Sequence, residues 1–190
     1  INVKNSILLF GIIDEDMTLT ANKEYLVSSN LVINAHINIE PGTTLSISDN
    51  SKITLLDDGK ITALGLNSNK IYFVAENNYW DGFNFSSFSE FQFDFCEFKN
   101  FDGDWRDGNF IETNFTTNCL FFDNIFLRGP YNGTIFIGPS NIFSYNNIYY
   151  NNMLQGHILS YDNSIYYPDP SQQDDMLNLR VTHNNVINNR

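Results

Sequence analysis

The sequence predicts an all-β protein, and within that class a right-handed parallel β-helix. Three observations carry the prediction. First, short runs of Ile, Leu, Val, Phe and Tyr alternate with polar residues at period two, and each is closed by Gly, Pro, Asn or Asp. Second, three later stretches, 119–126, 142–149 and 180–187, repeat one theme: a β-like run, an Asn-bearing corner and a second apolar step. Irregular recurrence of one such unit is the mark of stacked repeats, since a single unit cannot bury its own apolar face. Third, no stretch shows helical periodicity with caps. Two-residue Asn-Gly hairpin turns are nearly absent, Asn132-Gly133 being the main exception.

The elements follow in order. Leu31-Val32-Ile33 leads to Ile37-Asn38-Ile39, the corner Glu40-Pro41-Gly42, and Leu45-Ser46-Ile47. Ile53-Thr54-Leu55, the turn Asp57-Asp58-Gly59, and Ile61-Thr62-Ala63-Leu64-Gly65 come next. Ile71-Tyr72-Phe73-Val74 then precedes Tyr79-Trp80-Asp81-Gly82 and Phe83-Asn84-Phe85. Gly42, Gly59 and Gly82 are expected at corners with positive φ, and Pro41 where no ladder partner is needed. Phe83, Phe85, Phe88, Phe91, Phe93, Phe95, Phe98 and Phe101 nearly alternate. They are expected to stack inside the core, because an interior must be filled in any case; an aromatic platform for sugar rings is the alternative. Asn124, Asn147 and Asn185 are expected to stack as an Asn ladder, with simple turn propensity as the competing reading. The whole chain, 1–190, is read as one domain of roughly seven or eight coils, each of about twenty-odd residues. Within it, 1–30 is an opening or cap region and 31–190 the coils.

Composition narrows the function classes. The formal net charge is −12, so nucleic-acid binding is excluded, because a phosphate backbone demands a basic surface. The same acidity leaves room for Ca²⁺, although a solvated acidic surface is the simpler reading. No other cofactor is implied. The two cysteines, Cys96 and Cys119, lie about one coil apart. Buried free thiols are preferred to a disulfide between neighbouring coils. No apolar run is long enough to span a bilayer. The stretch 6–13 is apolar but short and lacks the flanks of a signal peptide. A chain that begins with Ile1 and stops on a coil-like repeat is expected to be a segment of a longer protein. Its C-terminal end is expected to pack on further sequence or on another subunit.

One resemblance is more specific. Leu19-Thr20, Glu24-Tyr25-Leu26-Val27, Leu31-Val32-Ile33 and Ile37-Asn38-Ile39-Glu40-Pro41-Gly42-Thr43-Thr44-Leu45 occur in that order. Gly59-Lys60-Ile61-Thr62-Ala63-Leu64-Gly65 and Trp80-Asp81-Gly82-Phe83 follow. The series resembles the opening coils of bacterial secreted β-helix proteins of the pectate-lyase-like superfamily, surface and adhesin types included. It covers roughly the first half of the chain. The resemblance implies a secreted or surface-exposed β-helix, and says little about activity.

Candidate chemistry lies off the repeat. The stretch 102–108 brings Asp102, Asp104, Trp105, Arg106 and Asp107 together with two glycines within seven residues. An indole can stack on a sugar face, and carboxylates hold hydroxyls or Ca²⁺. The spacing matches neither an EF-hand nor a repeated nonapeptide, and a plain polar loop with Arg106 paired locally is the simpler reading. Asp57-Asp58 and Asp174-Asp175 are further carboxylate pairs. Gly156-His157-Ile158 is similar to one fragment of the polygalacturonase pattern, whose acidic companions are missing. His36, His157 and His183 have no metal-ligand spacing. No catalytic residue is assigned. The expectation is a non-catalytic, extracellular or cell-surface module, structural or adhesin-like, whose partner is carbohydrate or another surface protein. The alternative is a lyase or glycoside hydrolase acting on an acidic polysaccharide.

Overall fold

A computed structural model describes residues 6–86 and 89–100 in full, and beyond them the backbone of strands between residues 102 and 187. The described part is all-β, with parallel strands in curled sheets and no helix. The first eleven strands are β1 (Ile7–Ile13), β2 (Met17–Leu19), β3 (Glu24–Ile33), β4 (His36–Ile39), β5 (Thr44–Ile47), β6 (Ile53–Leu55), β7 (Lys60–Leu64), β8 (Ile71–Ala75), β9 (Phe83–Phe85), β10 (Glu90–Asp94) and β11 (Cys96–Lys99).

The chain returns repeatedly to the same sheets. One ladder runs β2-β4-β7-β10 and goes on through Phe115–Thr117, Phe143–Tyr145 and Arg180–Thr182. A second sheet joins β3-β5-β8-β11 on one side and β3-β6-β9 on the other, with β1 paired to β3. The long strand β3 serves both arms: Glu24 to Val27 register with β5, and Leu31 to Ile33 with β6. Within the opening region, β1, β2 and the first half of β3 already belong to these parallel ladders.

Alternation along each strand sends one set of side chains inward, and register stacks them. Ile37, Ile61 and Phe91 form one inward row, and Ile39, Ala63 and Phe93 the next. Tyr25, Leu45, Phe73 and Phe98 form a third. Leu31, Ile53 and Phe83 form a fourth. Phe73 stacks on Phe98 at 5.0 Å between ring centres and meets Phe83 and Phe93 edge-on at 5.6 and 5.7 Å. Trp80 is fully buried, and its indole N–H donates to the Lys99 carbonyl at 3.2 Å.

The corners explain the sequence motifs. At Pro41-Gly42-Thr43, Gly42 adopts φ +86°, and a Cβ there would collide with the Asn69 side chain of the next corner. Asn69 Nδ2 donates to the Pro41 carbonyl at 3.1 Å. The buried Thr43 hydroxyl donates to the Glu40 carbonyl at 2.7 Å and lies 3.3 Å from that of Leu19. The Gly42 and Gly82 expectations hold, with Gly82 at φ +75°. Gly59 differs, for it is not among the positive-φ residues. It is required instead by close approach, because a Cβ would run into the carbonyls of Ile33 and Leu56.

Phe83, Phe85, Phe91, Phe93 and Phe98 are buried as expected. Phe95 is not among them. It is half-buried at φ +47°, at the corner between β10 and β11, and the buried Cys96 follows it. Two inward strands meeting at a tight bend leave no inward slot for the bend residue. Phe88 and Phe101 lie outside the described residues.

Candidate functional site

The described polar surface concentrates where β2, β4, β7 and β10 begin. His36, Lys60 and Glu90 share one register row. Asp16, which immediately precedes Met17, extends the row because Met17 registers with Ile37. In each case the next residue, Met17, Ile37, Ile61 or Phe91, turns toward the core, so alternation turns these four outward. Adjacent strands lie roughly 5 Å apart, which makes the row a continuous polar edge.

Turns complete a cleft around it. Gly59 N–H donates to the Leu56 carbonyl at 2.8 Å, closing a tight turn that leaves Asp57 and Asp58 exposed. Asp14, Asn34 and Ala35 supply the other rim, and the open cleft measures about 420 Å³. Within it the His36 backbone N–H donates to Asp16 Oδ1 at 2.8 Å. His36 Nε2 lies 2.9 Å from Thr62 Oγ1. Lys60 Nζ is 2.8 Å from Glu90 Oε2. Asp14, Asp16, Asp57, Asp58 and Glu90 thus face a single lysine and one histidine, so the cleft repels anions and offers hydrogen-bond acceptors to hydroxyl or ammonium groups. Among the described residues no group of His, Cys, Asp and Glu is arranged to hold a metal ion.

A second polar cluster lies between the ends of β5 and β8. The Asp49 carboxylate accepts from the Asn78 backbone N–H at 2.9 Å, from Asn78 Nδ2 at 2.7 Å and from the Asn77 N–H at 3.3 Å. The two bonds from Asn78 hold the Asp49 carboxyl below its ordinary range; desolvation opposes them and the Asn77 bond adds to them.

Of the sequence-predicted positions, Asp57 and Asp58 fall on the cleft rim. The 102–108 stretch is less of a loop than expected. Asp102–Gly103 and Trp105–Asp107 are short strands, with Asp102 opposite Ile125 and Arg106 between Asn84 and Phe136. Asp104 and the side chains of Asp102, Trp105, Arg106 and Asp107 lie outside the described residues.

Cys96 is buried, and its thiol donates to the Ala63 carbonyl at 3.3 Å; Cys119 lies outside the described residues. Of the expected Asn ladder, register places one member. Asn185 stands opposite Ile148, not Asn147. Start to start, 142–149 is one residue out of step with 180–187, since Phe143 pairs with Arg180, and 119–126 is further out, since Leu120 pairs with Ile148. Asn124 and Asn147 themselves lie outside the described residues.

Sequence reasoning passed over Asp14, Asp16, Lys60 and Glu90 and weighed His36 only as a metal ligand. A signal for four of them was present: Asp-Met, His-Ile, Lys-Ile and Glu-Phe each open a strand with a polar-to-apolar step. Aligning strand starts, rather than scanning for motifs, brings these four into one row. No family model, curated protein or solved structure matches this chain.

Among the described residues no helix is long and apolar enough to cross a membrane.

Proposed function

We propose that the chain is a right-handed parallel β-helix acting as a non-catalytic, secreted or surface-exposed module, structural or adhesin-like. The observation that carries this reading is where the outer polar side chains spend their bonds. His36 with Thr62, Ser48 with Glu76 and Asp49 with Asn78 each join residues 26 to 29 positions apart. Lys60 with Glu90 does the same between adjacent strands. These groups tie one turn of the chain to the next, which suits a load-bearing stack better than a reaction centre. The acidic cleft is the place for a ligand, and its charge favours a neutral or amino sugar over a polyanion. That charge also counts against the alternative, a lyase or hydrolase of acidic polysaccharides, at this cleft.

The test is incubation with pectin, alginate and neutral polymers, with and without Ca²⁺, beside a glycan array. Binding without new reducing or unsaturated ends supports the module. Cleavage that disappears in Asp104→Ala or Asp107→Ala overturns it.

A further inference from the structure

We draw no further inference here: the strongest candidate, the acidic cleft where β2, β4, β7 and β10 begin, belongs to the site already described and rests on a cluster of carboxylates, with nothing further in the structure to say what binds there.

Discussion

The core before β8 and the core from β8 onward solve the same packing problem with different chemistry. In the earlier turns the inward rows are aliphatic but for Tyr25: Leu19, Ile39, Leu45, Ile53, Leu55 and Ile61 are all buried. In the later turns the same rows carry rings, as Leu45 gives way to Phe73, Ile53 to Phe83 and Ile61 to Phe91. Branched aliphatics fill space without a preferred mutual angle. Rings prefer offset-stacked or edge-on contacts, and Phe73 meets its neighbours in both ways, 16° from parallel with Phe98 and 85° from parallel with Phe93. The aromatic region is therefore held by orientation as well as by burial. Between the two stands Ala63, fully buried in register between Ile39 and Phe93, where a small side chain leaves room for the first rings.

That contrast can be broken most directly at Phe73. Phe73→Ala should cost about 3–5 kcal/mol, the range for a buried ring, and more than any single aliphatic truncation by one methyl. Urea unfolding followed by circular dichroism measures it. Ala63→Leu probes the junction. It should destabilise by about 1–3 kcal/mol through overpacking, read in the same way, with near-ultraviolet signals showing whether the rings rearrange. Ile53→Val, in the aliphatic region, should cost only about 0.5–1.5 kcal/mol. A larger loss there than at Ala63 would erase the distinction between the two regions.

The smallest effect belongs to the clamp that joins them, Asp49 on the aliphatic side and Asn78 on the aromatic side. The Asp49 carboxyl is lowered from its ordinary value of 3.8. Its stabilising contribution is therefore complete above that value and is lost as pH falls through the lower folded-state value. Asp49→Ala should be less stable than the parent near neutrality, with the gap closing in acid. Unfolding midpoints measured across the acid range check this, and a gap that widened in acid would contradict the assignment.

Much of this was legible in the sequence for a physical reason. Period-two alternation and Gly-Pro corners are local signals, and β4 to β9 lie where the runs from Ile37 to Phe85 place them. What was not legible depends on register, which is set through space. The Asn stretches look alike whether or not they are in step, and only pairing shows that Ile148 meets Asn185. Phe95 continues an alternating series in the sequence, yet the bend between β10 and β11 turns it out of the core. Gly59 reads as a positive-φ residue, and only the neighbouring carbonyls of Ile33 and Leu56 reveal that space is what it supplies. The polar row at Asp16, His36, Lys60 and Glu90 escaped motif scanning because its members are distant in sequence and adjacent only across the ladder.

Strand β3 acts as a template. Its first half sets the phase of β5 and its second half that of β6, with the exposed Ser28, Ser29 and Asn30 between them. The two arms of the large sheet thus copy their phase from one ten-residue strand. Removing one residue from 28–30 would leave one arm correctly phased and shift the other by a single step. A single-step shift exchanges inward and outward faces along every strand copied from it. An error there is inherited by a whole arm, whereas the same deletion in a corner further on would be felt only from that point forward.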